Sequence, residues 1–154
     1  DAAPRPIAAS DAEGVRALVL ASLGVTPYVD REMELVALAE RGDPEVRSLV
    51  IERDGSVAAL ALFGPVAGTQ GTWKLYSLLL AERVEPRQVG GAMVDAVVAA
   101  VAGAGARLLT AELPADPAIG KVLSLLRSLG FRQDGRIPHF FRDDVALLFL
   151  RRDM

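Results

Sequence analysis

The sequence has no cysteine and a single histidine in 154 residues. Without cysteine there can be no thiol nucleophile, disulfide framework, zinc-thiolate site or iron-sulfur cluster. With His139 alone, multi-histidine metal sites are excluded as well, so no metal is expected. A Ser-His-Asp triad would have to use His139, which lies in a Pro-containing stretch with no G-x-S-x-G elbow to serve. Lysine is scarce, 2 residues against 15 arginines, and 20 acidic residues outweigh the 17 basic ones. The net charge of -3 leaves no basic field for nucleic acid. Long apolar runs are missing too: Ala96 to Ala102 falls well short of the roughly 18 residues that span a bilayer. The start, Asp1-Ala2-Ala3-Pro4-Arg5-Pro6, has neither Met nor a signal-peptide core. The expectation is a soluble, cytoplasmic protein with a trimmed or incomplete start and no membrane partner.

What is present is apolar and aliphatic. Hydrophobic residues make up 51% of the chain, with 25 Ala and 22 Leu against 5% aromatics, enough to fill the core of one domain over residues 1 to 154. Ser10-Asp11-Ala12-Glu13 has the form of a capping box, and Val15, Leu18, Val19 and Leu23 follow at helical spacing, predicting a helix from Asp11 to Leu23. Asp30 to Arg41 reads as a second amphipathic helix, with Met33, Val36, Leu38 and Ala39 as its apolar residues.

Asp54-Gly55 between Ser48–Ile51 and Val57–Phe63 is a strong hairpin signal. Thr72 to Ala81 supplies a third strand, Arg87 to Ala102 a helix opening on Gly90-Gly91, and Leu108 to Leu113 a buried strand. Pro117 starts a Leu-rich helix that Gly130 ends, and Phe131–Pro138 with Val145–Leu150 makes a closing pair. Arg151-Arg152 reads as a solvated tail. With no repeat or linker, the fold class is α/β.

The most informative segment is Leu78 to Ala92, a strand followed by a loop whose small residues open a helix. A helix start offers unpaired backbone N–H groups and the positive end of a dipole, which suits a pyrophosphate, and small residues let it approach. The other phosphate loops fit badly: Gly120-Lys121 continues with Val122 rather than Ser or Thr, and Gly103-Ala104-Gly105 follows a helix.

Arg87-x-x-Gly90-x-Ala92 matches the [QR]-x-x-G-x-[GA] motif of the GNAT superfamily of N-acetyltransferases, and the chain resembles that family well beyond the loop. Pro4-Arg5-Pro6-Ile7 looks like the family's opening strand, and Trp73-Lys74-Leu75-Tyr76 like the start of its central strand in one subset. Leu129-Gly130-Phe131 looks like the L-G-F after the last helix, and Arg136 to Phe141 like an R-I-P-D-[FY]-Y stretch. The resemblance implies a mixed, twisted sheet of six or seven strands with helices on both faces, the strands Thr72–Ala81 and Leu108–Leu113 splaying apart. It further implies acetyl-coenzyme A as co-substrate and a small-molecule or peptide amine as acceptor. The proposed chemistry is direct attack on the thioester by an EC 2.3.1-class acyltransferase, with homodimerisation as a family habit. The cofactor residues it implies are Leu80, Ala81, Glu82, Arg87, Gln88, Val89, Gly90, Gly91 and Ala92.

Two registers conflict in the central strand. Counting back from the glycines puts Leu80-Ala81-Glu82 at the thioester, whereas counting on from Leu75-Tyr76 leaves about two extra residues, which a bulge or longer loop would absorb. The count from the glycines is preferred. The family's usual tyrosine acid is replaced by Leu126, and a tyrosine-like position near the end is Phe141. The expected base is Glu112, with Glu82 as its rival, and Tyr76 is a stand-in acid. Tyr28 could line the acceptor pocket, and His139 reads as structural or pocket-edge. The alternative function is a catalytically degenerate acyl-coenzyme A-binding or interaction module on the same fold.

Overall fold

The computed structural model describes residues 3–154. Helices α1 (Ala12–Leu23) and α2 (Val29–Glu40) are followed by strands β1 (Arg47–Arg53), β2 (Ser56–Pro65) and β3 (Thr72–Leu80). Helix α3 (Pro86–Ala102), strand β4 (Leu108–Pro114), helix α4 (Gly120–Ser128) and the hairpin β5 (Arg132–Arg142) and β6 (Val145–Asp153) complete the order. The strands form one six-stranded sheet in the order β1-β2-β3-β4-β6-β5. Only β3 and β4 run parallel, joined by the α3 crossover.

The apolar alternation of the strands builds two cores. On one face Ala59, Ala61, Phe63, Trp73, Leu75 and Leu109 pack against Val89, Met93, Val97 and Val101 of α3 and Leu125 and Leu126 of α4. On the other, Val50, Leu60, Leu62 and Leu79 pack against Val15, Leu18 and Val19 of α1 and Leu35, Val36 and Ala39 of α2. Helices therefore cover both faces, as the resemblance implied. The Asp54-Gly55 turn has φ of 53° and 76°, the left-handed pair that matches strand twist in a two-residue hairpin.

Several expectations change. Pro4 to Ile7 forms no strand: Arg5 makes a single bridge to Val50, flanked by two prolines that have no N–H to extend a ladder. The capping box at Ser10 and Glu13 is not used. Asp11 instead accepts the Ala8 N–H at 2.7 Å and precedes α1 in a short 3-10 turn. Arg151 and Arg152 belong to β6, and Arg151 pairs with Asp134 and Asp153 at 3.1 and 2.6 Å. Among the described residues no helix is long and apolar enough to cross a membrane.

Candidate functional site

The site arises where the parallel pair comes apart. β3 and β4 are in register only from Thr72–Leu108 to Leu75–Ala111. Immediately beyond, β3 carries a bulge: Leu62 faces Ser77 and Phe63 faces Leu75, so Tyr76 is the extra residue. A bulge re-aims side chains and bends its strand. Past it, β3 remains paired with β2 but has no partner on its β4 side.

That gap opens into a cavity of about 1230 Å³, walled by Leu78 to Val84, by α1 from Glu13 to Leu23, by the β1–β2 turn and by Pro117 to Leu125. The Ala81 N–H donates to Ala58 at 2.8 Å, opposite it in the β2–β3 ladder. Hydrogen-bonded pairs alternate along an antiparallel ladder. The backbone groups of Leu78 and Leu80 therefore turn away from β2, toward the gap, spaced to pair with an extended ligand arm.

Leu80, Ala81 and Glu82, the residues expected at the thioester, line this cavity. Arg87 to Ala92 do not line it, because α3 begins at Pro86 and not on the glycines. Gly90 and Gly91 lie a turn inside the helix. A Cβ on Gly90 would stand 2.8 Å from Leu125 Cδ2, so this glycine lets α4 pack closely on α3. At the helix start, Pro86 has no N–H, and the Glu85 carboxylate accepts the Arg87 and Gln88 N–H groups at 3.2 and 2.6 Å. The strand edge thus fits the arm of an acyl carrier, whereas the helix start fits its pyrophosphate only with Glu85 displaced.

The expected proton-transfer residues separate. Glu112 follows Ala111, the last β4 residue paired with β3, but forms an ion pair with Lys74 on the sheet face that α1 and α2 leave uncovered. The Tyr76 hydroxyl reaches toward the Glu45 carbonyl at 3.5 Å, outside the cavity wall, and burial raises its pKa. Leu126 is 1% exposed in the core, and Phe141 packs edge-on against Tyr28 with ring centroids 5.7 Å apart.

Tyr28 donates to Asp116 Oδ2 at 2.7 Å, and Arg142 donates to the same oxygen at 3.0 Å. The Tyr28 hydroxyl, then the Ala118 N–H and Arg142, hold the Asp116 carboxyl below the usual carboxylate range. This network ties together the α1–α2 link, the segment after β4 and the β5–β6 hairpin. His139, at φ 54°, accepts the Asp144 N–H in that hairpin, a structural role.

Glu32 was missed from sequence. It is 5% exposed and accepts the Ser77 hydroxyl at 2.7 Å, and burial pushes its carboxyl up to about 7 against that hydrogen bond. The available signal was its place on the face carrying Leu35, Val36 and Ala39, spaced at i+3, i+4 and i+7.

No protein-family model and no curated protein sequence matches the chain. Solved structures do. A proposed acetyltransferase of the GNAT family from Desulfovibrio desulfuricans superposes with a TM-score of 0.85 at 27% identity, over 98% of each chain. The ribosomal-protein-alanine N-acetyltransferase of Brucella melitensis matches at 0.77 and 19% identity, over 99% of this chain and 100% of that one. The aminoglycoside 6'-N-acetyltransferase of Enterococcus faecium matches at 0.77 and 12%, over 99% and 97%. The six-stranded sheet, its parting central pair and these superpositions agree: the chain is built on the fold of the GNAT-family N-acetyltransferases.

Proposed function

We propose that the protein transfers an acetyl group from acetyl-coenzyme A to an amine by direct attack. The observation that carries this reading is the parting of β3 from β4 after Leu75 and Ala111, which leaves an unpaired strand edge along a large cavity. Leu78 and Leu80 would pair with the extended arm of the carrier, and the helix start from Glu85 to Gln88 would meet its phosphates. The bound thioester supplies an acyl carbon already activated toward amines, so no covalent intermediate on the protein and no metal is needed.

Around that carbon the chain's own groups act as follows. The Ala81 N–H is committed to β2, which leaves the Leu80 N–H as the donor best turned to stabilise an oxyanion. Glu82 lies on the cavity wall, whereas Glu112 is held by Lys74 outside it. With Leu126 and Phe141 in the acid positions, the leaving thiolate takes its proton from solvent, tolerable for a thiol whose pKa is about 8.5. The acceptor is a small-molecule or peptide amine. The named acceptors of two similar structures, a ribosomal protein and aminoglycosides, span both kinds.

Titration with acetyl-coenzyme A beside a thiol-release assay over an amine panel tests the reading. Binding with release is expected. Binding without release from any amine would instead favour a non-catalytic acyl-coenzyme A module, which the apolar Leu126 and Phe141 positions support, and absence of binding would remove both. Glu85→Ala should tighten acetyl-coenzyme A while leaving S-acetylpantetheine, which has no phosphate, unchanged. Equal effects on the two ligands would move the phosphates away from this helix start. Gly90→Glu is a poor probe, since it would push Leu125 off α3 whatever binds.

A further inference from the structure

Three buried carboxylates stand out among the described residues, and two have cations: Asp11 pairs with Arg5 and Asp116 with Arg142. Glu32 has none. Its hydrogen-bond partner is the Ser77 hydroxyl. A purely structural contact would be served as well by glutamine, which accepts the same hydrogen bond without the cost of burying a charge.

The position is informative. Ser77 follows the extra residue of the β3 bulge, and the two turn together toward the α1–α2 side, Ser77 to Glu32 and Tyr76 into that core. The bulge falls directly after Leu75, the last residue in register with β4. Ser77 immediately precedes Leu78, the first β3 residue on the cavity wall, while Glu112, paired with Lys74, flanks the parting on the β4 side. The Lys74–Glu112 pair satisfies both its charges, and Glu82 stands further along the cavity wall, which leaves the Ser77–Glu32 pair as the buried proton acceptor beside the parting.

The geometry points to Ser77 and Glu32 as a proton relay that deprotonates the acceptor ammonium where β3 and β4 separate. The inference rests on the acyl-transfer reading. Ser77 Oγ takes a proton from the ammonium as its own proton passes to Glu32 Oε2. The serine is unchanged, the glutamate becomes a carboxylic acid, and the amine gains the lone pair that attacks. After transfer, the Glu32 proton returns to solvent by the same path, and the second amine proton is lost to solvent, from which the thiolate takes its own.

The surroundings keep the pair poised near neutrality. Burial raises the Glu32 carboxyl to about 7, opposed by the Ser77 hydrogen bond. On β3 the neighbours are Tyr76, its phenol also raised by burial, and Lys74, committed to Glu112. On α2, Arg31 pairs with Glu34 in solvent, and α1 contributes the apolar Val15, Leu18 and Val19 to this core.

The test uses Glu32→Gln, Ser77→Ala and Ser77→Thr, with one acceptor throughout. Thermal midpoints and acetyl-coenzyme A affinity are measured beside the pH profile of kcat/KM. For Glu32→Gln and Ser77→Ala we expect affinity within about twofold of wild type, kcat/KM at pH 7 lower by about 100-fold, and loss of the rise in rate through pH 7. Ser77→Thr, which keeps the hydroxyl, should retain most of the rate. Either of the first two variants alone carries the test if the other fails to fold. Wild-type rate and pH profile in a folded variant overturns the relay alone. Absence of thiol release from wild type with any amine overturns acyl transfer, and the relay with it.

Discussion

Asp11, at the start of α1, is 4% exposed, and Glu32, in the first turn of α2, is 5% exposed. Arg5 grips Asp11 with both guanidinium nitrogens, at 2.6 and 2.9 Å, and the Ala8 N–H adds a third donor at 2.7 Å. The Arg5 hydrogen bonds outweigh burial, so the Asp11 carboxyl sits below its ordinary range. Glu32 has one hydroxyl and no cation, burial wins, and its carboxyl rises to about 7. Two carboxylates equally shielded from solvent on neighbouring helices thus take opposite protonation tendencies: Asp11 lies shallow and is paired, whereas Glu32 lies deeper in the fold without a cation. Asp116 is of the first kind: it latches Tyr28 and Arg142 together and is spent on architecture.

The largest expected effect that would sharpen this contrast comes from Glu32→Gln. The folded value of about 7 lies above the ordinary 4.5, so stability from the neutral form is fully present below pH 4.5 and is lost as pH rises through 7. Glutamine removes that loss. Denaturant titrations should find the variant equal to wild type at pH 4 and more stable at pH 8 by about 3 kcal/mol. A variant less stable at pH 8 would mean that Glu32 is held ionised by a partner and that the contrast with Asp11 is false.

Arg5→Ala should act with the opposite sign. It leaves Asp11 buried with only the Ala8 N–H, at an expected cost of about 2 kcal/mol at pH 7, below the range for a fully buried pair because Arg5 is 37% exposed. The depressed Asp11 carboxyl contributes stability that is present above its ordinary value of 3.8 and lost as pH falls through its folded value. The gap between variant and wild type should therefore close on acidification. A gap unchanged at low pH would assign the loss to the aliphatic stem of Arg5.

Local sequence encodes part of this architecture and leaves the two carboxylate sites unread. The Asp54-Gly55 turn, the Gly130 stop at φ 96° and the strand order up to the cleft follow from turn chemistry and alternation, which act over a few residues. Leu80 to Glu82, placed at the thioester by counting back from the glycines, line the cavity. The conflict of registers after Leu75-Tyr76 announces a bulge or a longer loop, and the bulge makes Tyr76 the extra residue, but its exact place depends on how β2 and β4 compete for β3. Gly90 and Gly91, from which the count was taken, lie inside α3 rather than at its start. Glu85 then takes the donors expected for a phosphate. Glu32 went unread because its partner, Ser77, lies 45 residues away.

The smallest effect should come from Glu52, the second acceptor of Arg5. It receives Arg5 Nη2 at 2.8 Å but is 42% exposed, and an ion pair in that much water contributes little. Glu52→Gln should change stability by less than about 0.5 kcal/mol, and by still less as salt is raised. The comparison with Arg5→Ala is clean because the Arg5 backbone stays bridged to Val50 at 3.0 and 2.7 Å in both variants. Only the side-chain partners differ. If Glu52→Gln matched the loss from Arg5→Ala, Arg5 would be anchored by β1 rather than by Asp11. The first turn of α1 would then hold its carboxylate without a cation, as α2 does, and the difference between the two helices would have to come from depth and from their hydroxyl and N–H donors.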